Sequence, residues 1–290
     1  MSAAIELLFT GIPAEADKFL FGTSTVALVR VPGERIIFDT GPYAYRPILQ
    51  GRLRRAGVDP GAVTKVVLSH LHWDNAANAD LFSNADILVH ERELNAAEAA
   101  SGRDWAIPEY TARALRKLHL RPVAGDIEIA AGVRIVELPG HTPGSIGLIV
   151  GRQLLAGDAV GSAKDAVAER VASCAGDEQA ATASLKKALA MSEIVYPGHD
   201  RPFRVEPTIA YIADYELRIR LFVDPSGQDE ELHFGAAAAK SFATWPGNWQ
   251  CVRGPRWSAR VLFGYVATPI KARMPASVKQ SGRSYANSIV

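Results

Sequence analysis

Cysteine is scarce in this chain: two in 290 residues, Cys174 and Cys251. They stand far apart and offer neither ligand nor redox spacing, so they read as reduced thiols of a cytoplasmic protein, with one long-range disulfide as the alternative. Long apolar runs are missing too. None approaches the roughly 20 residues that a membrane span requires, so no span is expected. The N-terminus lacks a basic stretch ahead of an apolar core, and Ile5-Glu6-Leu7-Leu8-Phe9 reads as a first strand rather than a secretory signal. Charge of one sign is not in excess, the formal net charge being +1. With no recognisable nucleic-acid module, a nucleic-acid partner is not expected. Repeats and low-complexity tracts are also lacking. A content of 48% hydrophobic and 22% charged residues describes an ordinary globular protein. Its length suits one main domain with an extension.

The densest chemistry lies in Ser69-His70-Leu71-His72-Trp73-Asp74-Asn75, directly after the apolar run Val66-Val67-Leu68. Alternate residues leaving a strand point to one side, so His70, His72 and Asp74 are expected to converge. Imidazoles and a carboxylate in one small volume are the ligands that a catalytic Zn²⁺-like ion takes. By the same alternation Trp73 is expected to point the other way and pack.

Three further segments repeat the pattern of a short hydrophobic run, a turn with glycine, and a metal-capable side chain. Val133 to Leu138 runs into Pro139-Gly140-His141-Thr142-Pro143-Gly144-Ser145. Leu154-Leu155-Ala156-Gly157 runs into Asp158, and Glu193 to Tyr196 runs into Pro197-Gly198-His199-Asp200. Glycine permits a sharp turn and a close approach to an ion, and a strand end holds its side chain on a rigid element. A lone histidine after a strand is more often a hydrogen-bonded, half-buried residue than a ligand. Four such strand ends in one chain outweigh that reading. His90, which closes Ile87-Leu88-Val89, is expected near the site, and His119 at the surface in a basic helical stretch.

HxHxD, PGHTPGS, GD and PGH, in this order over roughly residues 20–205, resemble the metallo-β-lactamase-fold hydrolase superfamily, and within it the lactonase-like and glyoxalase-like branches. The resemblance implies an α/β (α+β) four-layer αββα sandwich with its active site along one sheet edge. It implies that His70, His72 and His141 hold a first metal, that Asp74 and His199 hold a second, and that Asp158 bridges the two. The activity implied is hydrolysis of a carboxylic ester, lactone or thioester in a small-molecule substrate. A metal-bound hydroxide attacks a carbonyl whose oxyanion the metal stabilises, and Asp74 or the second metal assists departure of the leaving group. Zn²⁺ is the expected ion, two per chain, with Fe or Mn as alternatives.

Two positions depart from the pattern. The family usually has histidine after the HxHxD aspartate, and here it is Asn75. An amide oxygen is a weaker donor than an imidazole nitrogen, so the second site is expected to bind less tightly. Asn75 is then a second-site contact through its oxygen, or else a cap of the helix that starts there. Acyl-homoserine lactonases carry a tyrosine three residues after the bridging aspartate, and here that residue is Gly161. Tyr196 reads as structural. Two other classes remain as alternatives: an iron-dependent redox enzyme on the same fold, and a non-catalytic binding protein with a degraded second site.

Between the second ligand block and the third, Trp105, Ile107 and Tyr110 are expected to wall an apolar substrate pocket or to fold back on the core. Strands are expected at residues 5–10, 20–31, 34–39, 63–69, 86–90, 126–130, 133–138, 145–150, 152–156 and 193–197. Helices are expected at 45–56, 91–100, 109–119, 177–191 and 207–222. The domain reading is 1–231 for the catalytic part and 232–290 for a basic, Trp-containing C-terminal extension. That extension has eight Lys or Arg and no Asp or Glu, against 24 basic and 31 acidic residues before it. Such asymmetry favours packing on the chain's own acidic domain or on a second copy, giving a homodimer.

Overall fold

The computed structural model describes residues 3–12, 14, 22–99, 104–172, 174–221 and 230–236. Two sheets lie face to face. The first has the order β1-β2-β3-β4-β5-β6: β1 Ala4–Phe9, β2 Val26–Val31, β3 Glu34–Phe38, β4 Lys65–Val67, β5 Asp86–His90 and β6 His119–Val123. Strands β1 to β3 are antiparallel and β3 to β6 are parallel. The second has the order β13-β12-β11-β10-β9-β8-β7, from β7 Ile127–Ala130, β8 Val133–Glu137, β9 Ile146–Val150, β10 Gln153–Gly157, β11 Ile194–Pro197, β12 Phe203–Arg204 and β13 Ala210–Tyr211. Here only β10 and β11 run parallel.

Three apolar layers define the four-layer sandwich. Ala27, Val29, Phe38 and Val67 of the first sheet pack against Val133, Ile135, Leu148 and Leu155 of the second. The alternate residues of the first sheet, Leu28, Ile37, Val66 and Ile87, pack with Leu49 and Leu53 of α1 (Arg46–Arg55) and Leu94 of α3 (Glu91–Ala99). On the outer face of the second sheet, Val136, Leu154 and Val195 meet Ala181, Leu185 and Ala188 of α6 (Glu178–Met191). Strands buried on both faces read as continuous apolar runs, which is why Val66-Val67-Leu68 and Leu154-Leu155-Ala156 show no polar alternation. Helix α5 (Ala163–Ala168) precedes α6, which starts at Asp177, whose carboxylate accepts from the Gln179 and Ala180 amides and caps it.

Two expected helices are corrected. The 109–119 helix shrinks to α4 Thr111–Leu115, and His119–Val123 is a strand. Pro122 cannot sit inside a helix, and β6, the last strand of its sheet, tolerates the missing donor. His119 is exposed there, as expected. Residues 207–221 form β13 and the strand β14 Tyr215–Leu221 instead of a helix. Leu217 and Ile219 alternate with Glu216 and Arg218, a period of two that outweighs helix propensity. β14 pairs with β15 Glu230–Ala236 as a separate hairpin, and β15 runs through the expected boundary at 231/232.

The chain divides into two compact units, Met1–Thr244 and Trp245–Val290. The second unit lies outside the described residues, and so do the extension's tryptophans, all eight of its Lys and Arg and its expected role in dimerisation. Among the described residues no helix is long and apolar enough to cross a membrane.

Candidate metal centre

The candidate ligands gather at one end of the sandwich, half from each sheet. From the first sheet, β4 ends at Val67 and the chain enters the four-residue helix α2, Trp73–Ala76. His72 is its N-cap, with extended backbone at φ −62° and ψ 151°, and Asp74 lies in its first turn. Convergence of His70, His72 and Asp74 is thus achieved by a loop running into a helix rather than by strand alternation. That corrects the reading of Trp73. As the first helical residue it is half-buried and lines the cleft and a second cavity beside it. From the second sheet come His141 after β8, Asp158 at the end of β10 and His199 after β11.

His70, His72, His141 and Asp158, all buried, bring one donor atom each within 4.8 Å of one another. His141 Nε2 stands 3.3 Å from His72 Nδ1 and 3.4 Å from Asp158 Oδ2, which lies 3.9 Å from His70 Nε2. Ligands at zinc-bond lengths around a tetrahedral ion are about 3.3 Å apart, so this spacing fits a divalent ion at the centre. His70 Nε2 and Asp158 Oδ1 are fully buried and lack any hydrogen-bond partner, a costly state that cation binding relieves. On the far side of Asp158, His199 Nε2 lies 2.9 Å from Asp158 Oδ2 and 3.6 Å from Asp74 Oδ2. The six expected metal residues therefore form one connected cluster, with Asp158 between two groups.

The titration pattern is that of a crowded, buried set. Burial and the adjacent His72 hold His70 well below the ordinary imidazole range. Asp158 is held well below the carboxylate range, because the opposing effect of burial is outweighed by His199 and His141. Burial and the charge of Asp158 push Asp74 up to about 6. For His199 burial acts downward, but the charge and hydrogen bond of Asp158 win and raise it to about 9. A neutral His70 imidazole facing the ionised Asp158 carboxylate offers two donors to a cation, and a cation bound there would displace the proton that Asp158 holds on His199.

Carboxylates absent from the sequence reading hold the ligands in place. Asp39, fully buried after β3, accepts from the Ser69 amide at 2.7 Å and the Ser69 hydroxyl at 2.8 Å. That hydroxyl is 2.9 Å from His70 Nδ1, which leaves Nε2 for the centre. Burial pushes Asp39 up to about 7 against these bonds, and its φ of +54° is one of two positive values at described residues other than glycine. A left-handed aspartate after an apolar strand is a backbone feature that no spacing rule announces. Asp104 Oδ2 lies 3.0 Å from His72 Nε2, which turns His72 Nδ1 toward the metal side, and its other oxygen accepts from the Ala106 amide. The hydrogen bond to His72 holds Asp104 below the usual carboxylate range. Such partners fix the tautomer and ring orientation of a ligating histidine.

Asn75 does not cap α2 but lies within it, wholly buried. Its amide nitrogen donates to Asp39 at 2.9 Å, and its oxygen has no hydrogen-bond partner. His90 pairs with Glu137 at 2.6 Å and does not join the four-residue group. The aromatic segment divides. Trp105, 75% exposed, lines a cavity of about 730 Å³ over the cluster, together with Ile12, Gly161, Lys164 and Cys174. Tyr110 lines the adjacent cavity of about 370 Å³, whereas Ile107 packs on the core under the first sheet and lines neither. Tyr196 donates to Gln153 at 2.8 Å and is structural.

The model of the metallo-beta-lactamase superfamily matches residues 20–199. An N-acyl homoserine lactonase of Bacillus cereus is 33% identical over 157 residues, 51% of this chain and 60% of the relative, so the chain spans about 60% of that lactonase's length. Metallo-beta-lactamase domain-containing protein 1 of Xenopus laevis is 29% identical over 208 residues, 70% of this chain and 82% of the relative. Among solved structures, a metallo-beta-lactamase from Thermotoga maritima superposes with TM-score 0.57 at 20% identity, over 70% of this chain and all of that one. A variant of AiiA from B. thuringiensis with N-decanoyl-L-homoserine bound superposes with TM-score 0.57 at 23% identity, over 69% and 94% of the two chains. At these identities the superpositions speak for the fold.

Proposed function

The chain belongs to the metallo-beta-lactamase superfamily, and from that premise we propose that it is a metal-dependent hydrolase opening a carboxylic ester, lactone or thioester in a small molecule. The observation that carries the reading is the buried quartet His70, His72, His141 and Asp158, whose donor atoms lie within 4.8 Å while one of them, His70 Nε2, lacks any hydrogen-bond partner. The lactonase relatives support the choice of bond.

His70 Nε2, His72 Nδ1, His141 Nε2 and Asp158 would hold one ion. Asp74, His199 and the shared Asp158 would hold a weaker second one, to which Asn75 adds at most a neutral oxygen. Zn²⁺ suits this nitrogen-rich set, with Fe and Mn as competitors. A divalent ion bound there supplies a Lewis acid for the scissile carbonyl and brings the pKa of coordinated water to about 7. The chain's own contribution is positional. Asp39, through Ser69, and Asp104 keep His70 and His72 from swinging out of line. Where no second ion is held, Asp74, at the cleft wall facing His199, is placed to carry a proton at Oδ2 to the departing alkoxide or thiolate. Trp73, Trp105 and Ile12 offer an apolar wall to the substrate and keep bulk water from that side.

Gly161 leaves no phenol three residues beyond Asp158, and its carbonyl accepts from the His199 amide at 2.8 Å. A side chain there would also meet Asp165 Oδ2 at 2.8 Å. Orientation of the substrate carbonyl therefore falls to other groups, which argues for a substrate other than the quorum-sensing lactones. Metal analysis together with a panel of p-nitrophenyl esters, lactones and thioesters tests the reading. Bound metal with turnover that a chelator abolishes and metal restores supports it. Iron with oxygen consumption would point to a redox enzyme instead, and a metal-free chain that binds ligands without turnover to a binding protein.

A further inference from the structure

Glu93 is a buried carboxylate that the mechanism does not use. It lies in the first turn of α3 and is completely buried. One oxygen accepts from the Leu71 amide at 3.0 Å and the other from the Gly144 amide at 3.0 Å. Leu71 is the residue between His70 and His72, and Gly144 lies three residues beyond His141. A single carboxylate thus joins the two loops that deliver the three clustered imidazoles, one from each sheet. The approach is close. A Cβ on Gly144 would stand 2.3 Å from the Glu93 backbone nitrogen and 2.5 Å from its Cβ, so only glycine lets the loop settle on the start of α3. One main-chain bond, from the Ile146 amide to the Ser69 carbonyl at 2.9 Å, also ties the loops, but it lies behind the ligands.

We infer that Glu93 is a positioning residue of the metal centre: its two oxygens set the separation of the His70–His72 loop from the His141 loop, and hence the fit of the site to its ion. The physical reason is the geometry of carboxylate. Ionised, it accepts at both oxygens and donates at neither, and charge-assisted bonds to backbone amides are short and strong. A glutamine at 93 keeps the shape but presents an NH₂ group to one of the two amides, so one loop is released. An aspartate is one methylene too short to reach both loops. If the residue served only to anchor α3, any loss of packing there would act on the centre in the same way.

The inference rests on the four-residue metal site proposed above, and the test keeps the two apart. Zn²⁺ affinity and stoichiometry are measured by competition with a chromophoric chelator for the parent, E93Q, E93D, G144A and L94A. Leu94 is the neighbouring core residue, 4% exposed, and touches the helix packing rather than the ligand loops. E93Q, E93D and G144A are expected to lose roughly 10- to 100-fold in affinity, the range seen when groups supporting metal ligands are removed. L94A is expected to melt earlier and bind Zn²⁺ within about twofold of the parent, inside the ordinary scatter for a distant site. Parent-like affinity in the folded E93 and G144A variants overturns the inference and leaves the metal site standing. So does an affinity loss in L94A equal to that in E93Q. A parent chain that takes up no Zn²⁺ overturns the site and the inference together.

Discussion

The two halves of the centre are held by different means. On the first sheet, His70, His72 and Asp74 fall within five residues, and side chains fix them: Asp39 through Ser69, Asp104 on His72, Glu93 on the Leu71 amide. On the second sheet, His141, Asp158 and His199 are spread over the chain, and, beside Glu93 on the Gly144 amide, main-chain bonds between loops hold their backbones. The Gly198 amide donates to Val160, the His199 amide to Gly161 and the Ala175 amide to the His141 carbonyl. A short run of ligands leaves a strand without regular structure to brace it, so carboxylates do the bracing. Ligands at separate strand ends inherit rigidity from the sheet.

The comparison breaks most completely at the ligands themselves. His72→Ala removes a nitrogen shared by no other residue and is expected to abolish metal uptake and turnover together. Metal analysis beside the hydrolysis rate checks this, and retained activity would remove His72 from the site. Gly198→Ala probes the main-chain half with every ligand intact. Its Cβ would stand 2.1 Å from Asp158 Oδ1, so affinity should fall roughly 10- to 100-fold, and an unchanged chelator competition would show that the loop yields freely.

Asp104→Asn probes the side-chain half more gently. The amide oxygen still accepts from His72 but without charge, for an expected loss of about tenfold, the low end of the range for such partners. Asn75→His should tighten the second metal and leave the first alone. Equal stoichiometry and affinity by calorimetry would mean that residue 75 serves Asp39 and not the ion.

The smallest effect concerns a tie between the sheets away from the metal. Glu137 at the end of β8 meets His90 at the end of β5, at 2.6 Å. Burial acts to raise the Glu137 carboxyl, but the Gly125 amide, His90 and Arg92 outweigh it and hold it below its ordinary value of 4.5. A carboxylate with a lowered folded-state pKa stabilises above its unfolded pKa and loses that contribution as pH falls through the folded value. The melting-temperature gap between the metal-free parent and Glu137→Gln should therefore be full at neutral pH and shrink below pH 4.5. A gap constant down to acid pH would show that the carboxylate's charge contributes nothing.

What was legible in the sequence was whatever obeys local rules. Apolar runs between glycine turns gave β1 to β5 and β7 to β11, but not β6, β12 or β13. The capping Asp177 and the helix formers after it gave α6, and HxHxD, PGH and GD gave the ligands. Misreadings arose where local rules were in competition. Residues 215–221 contain good helix formers but alternate with a strand's period, and His119–Val123 is claimed by pairing with β5. Trp73 was assigned a direction by strand alternation in a segment that had already turned into a helix.

The order and chemical type of the ligands were set by sequence alone, because each sits where a strand stops and its neighbours force a turn. Tertiary structure decided which distant carboxylates stand behind them. Asp39, Glu93 and Asp104 lie 31, 23 and 34 residues from His70 along the chain and carry no motif. Their roles arise only when two sheets close on each other and leave buried amides and imidazoles that require an acceptor.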